Sequence, residues 1–138
     1  MTHLHYRVWD GEQMYYSGDE GLCLSIGEMM PNKVFGWSLW LDGYGVIAHS
    51  GDEKHILMWG TGLNGKNGRL MYEKDVVKGR NFNTTRPRRF IGEVEYSYNG
   101  YTVKGVKQYT GMRDELNTTF EVIGNIYQNP NLLLEAAE

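Results

Sequence analysis

The chain has one cysteine and three prolines among 138 residues. It has no unbroken apolar run near the roughly 20 residues that a membrane-crossing helix needs. Cys23 by itself cannot close an internal disulfide, so nothing in the sequence asks for an oxidising compartment. The opening Met1-Thr2-His3-Leu4-His5-Tyr6-Arg7 lacks the apolar stretch of a secretory leader. Amphipathic segments longer than three turns are missing too, which excludes a helical bundle. Against these absences stand 18 glycines, a 41% hydrophobic content and a 13% aromatic content. That much apolar surface is enough to build a core and excludes wholesale disorder. Glycines set among aromatic and β-branched runs predict short strands joined by tight turns.

The strands can be placed one by one. Tyr6-Arg7-Val8-Trp9 alternates, Asp10-Gly11 turns, and Met14-Tyr15-Tyr16-Ser17 returns antiparallel. Leu22 to Ile26 alternates as a half-buried strand does, and Met30-Pro31-Asn32-Lys33 breaks the pattern. Val34 to Leu41 is a strand with Phe35, Trp37, Leu39 and Leu41 on one face. Val46 to His49 and Ile56 to Trp59 follow, then a glycine-rich connection from Gly60 to Gly68. Leu70 to Tyr72, Asp75 to Lys78, Phe90 to Tyr96, Tyr101 to Val106 and Thr119 to Ile123 read as further strands. Gly79 to Pro87 reads as a polar loop, and Asn99-Gly100 as a hairpin turn. Asn129-Pro130 predicts the start of a short helix through Leu132, Leu133 and Leu134.

The net charge of −3 conceals an asymmetry. Residues 66 to 107 hold ten of the fourteen Lys and Arg but four of the seventeen acids. That segment carries +6 and the remainder −9. Its densest part is the loop with Arg80, Phe82, Arg86, Arg88 and Arg89. Pro87 restrains the backbone there and limits how far the arginines can collapse. Guanidinium forks grip phosphates or carboxylates, and an aromatic tip stacks on a base. The competing account is a hydrated surface whose charges pair with the acidic part of the chain.

Other chemistries find little support. His3 and His5 would share a face of an extended segment, but no third metal ligand is flagged. Cys23 sits between Leu22 and Leu24 and reads as a small filler rather than a nucleophile. Glu93 and Glu95 share a strand face, on the wet side if Val94 and Tyr96 point inward. The Gly60–Gly68 segment has neither the lysine-serine/threonine pair nor the following helix of a phosphate loop. Asn83-Thr84-Thr85 and Asn117-Thr118-Thr119 match glycosylation sequons, inert in an intracellular protein. No cofactor, metal or catalytic residue is therefore assigned.

Three stretches together resemble the YopX family of phage and prophage proteins. The first is Tyr6-Arg7-Val8-Trp9-Asp10 with Met14-Tyr15 behind it. The second runs from Leu57-Met58-Trp59-Gly60-Thr61-Gly62-Leu63 through Lys66-Asn67-Gly68 to Tyr72-Glu73-Lys74-Asp75-Val76-Val77. The third is Phe120 to Leu133, containing Gly124-Asn125-Ile126-Tyr127-Gln128-Asn129-Pro130. The segment from Cys23 to His55 carries none of the resemblance. Two positions depart from it: Gly60 stands where the family has tyrosine, and Lys74 where it has glycine. The glycine would allow a left-handed turn, so Lys74 must adopt that geometry at a cost or the turn must differ.

The resemblance implies a mainly β fold with an SH3-like barrel in the second half. The strand, loop, strand, hairpin, strand order of residues 75 to 106 agrees with it. The expected organisation is a β-rich region over 1–56, the barrel over 57–128, and a short C-terminal helix and tail over 129–138. The resemblance brings no established activity and no catalytic residues to carry over, so the expected function is a non-enzymatic interaction module of a phage or prophage, acting in the bacterial cytoplasm. Self-association through Trp37, Trp40 and Tyr44 would make it a homo-oligomer, with a host protein as a further partner and no membrane. The alternative is nucleic-acid binding by the basic loop 78–89.

Overall fold

A computed structural model describes residues 5–29, 34–81, 88–97 and 100–131. Twelve strands make up nearly all of their regular structure, and every pairing is antiparallel. The chain divides into two compact units, Met1–Trp59 and Gly60–Glu138.

In the first unit β1 (Tyr6–Trp9) lies between β2 (Met14–Tyr16) and the opening half of β6 (Ile56–Asn64). Asp10 closes the β1–β2 turn, because its Oδ1 accepts the backbone N–H groups of Glu12 (2.8 Å) and Gln13 (2.7 Å). A second sheet is the meander β3 (Leu22–Met29), β4 (Val34–Leu41) and β5 (Gly45–His49). Val8, Leu39 and Ala48 form a buried cluster of this unit, ringed by half-buried Tyr6, Tyr15, Leu22, Leu24, Trp37, Ile47 and Leu57, and Met14 and Met58 are buried as well. Trp37 and Leu39 thus occupy the inward face of β4, as the alternation predicts. The side chain of Phe35 lies outside what is described.

The opposite face of the meander carries Cys23 in register with Trp40, and Trp40 in register with Val46. All three are exposed, so Cys23 is not the filler its neighbours suggested. The two-residue period that turns Leu22 and Leu24 inward turns Cys23 outward.

In the second unit β8 (Asp75–Asn81), β9 (Arg88–Ser97), β10 (Gly100–Gly105), β11 (Arg113–Glu115) and β12 (Glu121–Asn125) form one sheet ordered β11-β10-β9-β8-β12. The sheet curls into a half-barrel. A four-strand meander whose fifth strand returns beside the first is the order of an SH3-like barrel. Its concave side holds Met71, Val77, Phe90, Val94, Val103, Leu116, Phe120 and Val122, all buried. Along β9 the inward residues Phe90, Gly92 and Val94 alternate with half-buried Ile91, Glu93 and Glu95. Tyr96 continues the inward parity but is 64% exposed, because the sheet has run past its core. It meets Tyr101 on β10 edge to face at 5.2 Å instead.

Several expectations are corrected. The Gly60–Gly68 segment is not loop throughout: β6 continues to Asn64 and pairs irregularly with β7 (Leu70–Tyr72). Glycines at 60 and 62 hid it, since they leave no side-chain alternation to read. The basic loop is shorter than Gly79–Pro87, because β8 runs to Asn81 and β9 starts at Arg88. Strand β11 and a 3-10 turn over Lys107–Tyr109 were not foreseen. The former is Arg113-Asp114-Glu115, an edge strand with no apolar residue to betray it. The expected C-terminal helix through Leu132, Leu133 and Leu134 lies outside the described residues, and just ahead of it the Asn129 Oδ1 accepts the Asn125 N–H at 3.2 Å. Asn99 is also outside the described residues, while Gly100 shows a positive φ of 130°.

Lys74 does adopt the left-handed geometry, with φ of 71°. Its N–H donates to the Val94 carbonyl (2.8 Å) and its carbonyl accepts from Ile126 (3.1 Å). The next residue, buried Asp75, accepts the Tyr72 N–H at 2.8 Å through Oδ2. Backbone hydrogen bonds on both sides hold the turn in a conformation that costs a lysine about 1 kcal/mol.

Candidate anion-binding cleft

The β8–β9 hairpin brings cations together by register. Arg80 on β8 faces Arg89 on β9, and Lys78 stands between Ile91 on β9 and Glu121 on β12. All three cations are exposed, because Val77 and Gly79 take the inward parity of β8. A β-carbon at Gly79 would lie 2.7 Å from the Phe120 ring, so glycine lets the strand settle onto that buried aromatic.

A fourth cation arrives from the connection after β6. Gly65 lies flat on the Phe120 carbonyl, where a β-carbon would sit 2.7 Å from that oxygen. The Lys66 N–H donates to the same carbonyl at 2.7 Å. The segment before β12 is held by Asn117, whose Oδ1 accepts the Thr119 N–H at 2.9 Å and the Thr119 hydroxyl. Asn117 is thus a turn staple, whatever its sequon.

Lys66, Lys78, Gly79, Arg80, Arg89, Thr118, Thr119 and Glu121 line one cleft of about 590 Å³. It offers four cations, two hydroxyls and one carboxylate. Two basic residues elsewhere in this unit are neutralised by the protein: Lys74 Nζ lies 3.6 Å from Glu93 Oε2, and Arg113 Nη1 lies 2.7 Å from Glu95 Oε1. The two pairs also account for Glu93 and Glu95 as ion-pair acids. Among the described residues the four cleft cations enter no ion pair. Like charges left unneutralised around a concavity focus a positive potential there, the arrangement that attracts anions.

Of the five residues singled out in the basic loop, Arg80 and Arg89 line this cleft. Arg88 begins β9, and nothing is described of its side chain; Phe82 and Arg86 lie outside the described residues. Sequence reasoning missed the contribution of Thr118, Thr119 and Glu121. They are some 40 residues from Lys78 in sequence, and only the pairing of β12 with β8 carries them there. No cluster of three or more His, Cys, Asp or Glu suited to a metal occurs among the described residues. None of their helices is long and apolar enough to cross a membrane.

Residues 5–134 match the family described as YopX protein. The chain belongs to the YopX family. It is 35% identical over 136 residues to the SPbeta prophage-derived uncharacterized protein YopX of Bacillus subtilis strain 168, covering 93% of this chain and 94% of that one. The crystal structure of Bacillus subtilis yopX matches with a TM-score of 0.69 at 33% identity, over 95% of this chain and 98% of that one. The structure of EF1440 from Enterococcus faecalis matches with a TM-score of 0.50 at 18% identity, over 96% and 99%, and speaks to the fold alone.

The YopX stretches do mostly structural work. Asp10 staples the first turn, and Asp75 the turn around Lys74. Asn125, only 3% exposed, ties the end of the chain's last strand. Its Oδ1 accepts the N–H groups of Tyr127 (3.0 Å) and Gln128 (2.8 Å), and its Nδ2 donates to Gln128 Oε1 (2.8 Å). Lys66 and Glu121 are the cleft residues that fall within those stretches.

Proposed function

We propose that this YopX protein is a non-enzymatic phage or prophage module, acting in the bacterial cytoplasm, that binds single-stranded nucleic acid through the basic cleft. The observation that carries the reading is the convergence of four cations on one cleft. Lys66, Lys78, Arg80 and Arg89 converge on one concavity and, among the described residues, enter no ion pair, although Glu121 lines the same cleft. A concave site of this size suits an unpaired strand, whose phosphates reach cations while its bases stay free to stack. The Thr118 hydroxyl adds a neutral donor for phosphate oxygens, while that of Thr119 is committed to Asn117 Oδ1.

The test is fluorescence anisotropy with labelled single strands across a salt series. Four neutralised phosphates predict a slope of log K against log salt of roughly −3 for a single strand. Changing Lys78, Arg80 and Arg89 together to Ala should bring that slope to about −1 and weaken binding of every sequence alike. No binding near 50 mM salt, or a slope untouched by the triple change, ends this reading.

A second reading, self-association, is favoured by the outer face of the first unit. Trp40 is 45%, Val46 43% and Tyr44 79% exposed, whereas Trp37 packs on the core and cannot contribute. A second copy covering this face would bury its aromatic surface. Light scattering of the intact protein and of Trp40→Ser tests it: a dimer that Trp40→Ser dissociates supports the reading, and a monomer at high concentration removes it.

A further inference from the structure

We infer that Glu121 makes the cleft selective for guanine in an unpaired strand. This rests on the phosphate-binding reading above and adds the base that is read. A carboxylate is out of place in a site that only holds phosphates, since it repels them and can donate nothing. Glu121 nevertheless lines the cleft, half-buried at the first position of β12 and in register with Lys78. Among the described residues its carboxylate enters neither an ion pair nor a side-chain hydrogen bond, so both oxygens are available as acceptors.

An acceptor pair among cations calls for a ligand that presents donors beside its phosphate. The Watson–Crick edges of the bases differ in this respect. Guanine alone offers two adjacent donors, the ring N–H and the exocyclic amine, which match the two oxygens of one carboxylate. Adenine and cytosine offer an amine next to an acceptor, and thymine or uracil a single N–H between two carbonyls. Thr118 and Lys66 line the same cleft and supply donors for the remaining guanine carbonyl oxygen.

The experiment is anisotropy titration of the intact protein and of Glu121→Gln with labelled strands of about nine nucleotides, a length within the usual range for such folds. One strand is thymidine only, and the others carry guanine, inosine or adenine at three central positions. Inosine keeps the ring N–H and lacks the amine. The guanine strand should bind the unaltered protein about tenfold tighter than the thymidine strand, with inosine between them. Glu121→Gln, nearly isosteric, should bind the thymidine strand more tightly than the unaltered protein does, because a repelling charge is gone, and should lose the preference for guanine. Equal affinity for all four strands overturns the inference while leaving the phosphate reading intact. So does a guanine preference that survives Glu121→Gln, or one that inosine reproduces in full. Failure of every strand to bind at low salt overturns both readings together.

Discussion

The two units of this protein solve the same problem, an antiparallel sheet with one face to bury, with different materials. The half-barrel curls around eight buried apolar residues drawn from six segments of chain. The first unit buries Val8, Met14, Leu39, Ala48 and Met58, and half-buried tyrosines, a tryptophan and leucines close the margin. A curled sheet encloses its own inner face, so small Val and Gly residues suffice at tight positions. Flatter sheets leave aromatic surface at their edges and on their outer faces, as Trp40 and Tyr44 show. Charge divides the same way: the first unit carries three Lys and Arg against eight acids, the second eleven against nine. The cleft lined by four cations thus lies on the unit with the surplus of Lys and Arg.

That contrast in packing can be broken most directly at two strand glycines. A β-carbon at Gly92 on β9 would lie 2.5 Å from Val103 Cγ1 and 2.6 Å from the Lys104 carbonyl oxygen, whereas one at Gly27 on β3 would meet nothing within 4 Å. Gly92→Ala should lower the unfolding free energy by about 3 kcal/mol, and Gly27→Ala should leave it within about 0.5 kcal/mol. Urea unfolding followed by far-UV circular dichroism decides it, and equal losses would erase the distinction. All four tryptophans lie in the first unit, so their emission reports on that unit in the same samples.

The turn staples sharpen the comparison at the next scale. Asn125→Ala strips partners from two backbone N–H groups beside a buried side chain, and should cost about 2 kcal/mol. Asp10→Ala also removes an acceptor for two N–H groups, but these are exposed and water replaces it, so about 1 kcal/mol is expected. Thermal unfolding of the two variants side by side tests the order.

Left-handed turn positions give opposite signs in the two units. Lys74→Gly relieves a non-glycine residue at positive φ and should gain about 0.5 kcal/mol, the relief exceeding the extra freedom given to the unfolded chain. Gly43→Ala, at φ of 87° in the β4–β5 turn, should lose about 1 kcal/mol. A loss at Lys74 in the same unfolding assay would mean that its contact with Glu93 outweighs backbone strain.

The smallest effect concerns acid. The Lys54 backbone N–H donates to Asp52 Oδ1 at 2.9 Å and, together with nearby His55 and His49, holds this carboxyl below its ordinary pKa. A depressed folded-state pKa stabilises above the unfolded value and is lost as pH falls through the folded one. Asp52→Asn should therefore flatten a shallow decline in stability at pH below the usual carboxylate range. An unchanged acid limb in a pH series of melting curves would remove Asp52 from the account.

Much of this fold was legible because strand alternation and turn chemistry are local. The β1–β2 hairpin and the inward parity of Trp37 and Leu39 follow from residues within a few positions of each other, whereas the strained turn at Lys74 was implied by the family resemblance. Strand β11 was illegible because an all-charged edge strand has no apolar period, and the far half of β6 because glycine has no side chain to pattern. The cleft was half visible. The basic run named Arg80 and Arg89, but Thr118, Thr119 and Glu121 show no local sign of belonging beside them.

The sequence by itself determined membership of the YopX family, a β-rich architecture and a basic second half, since composition, periodicity and motif order are properties of the chain read in line. Only the tertiary structure decided which cations are neutralised and which are left facing a concavity. Ion pairing depends on distances of a few ångströms, and those are set by strand register. The return of β12 beside β8 brings the acceptor to the arginines.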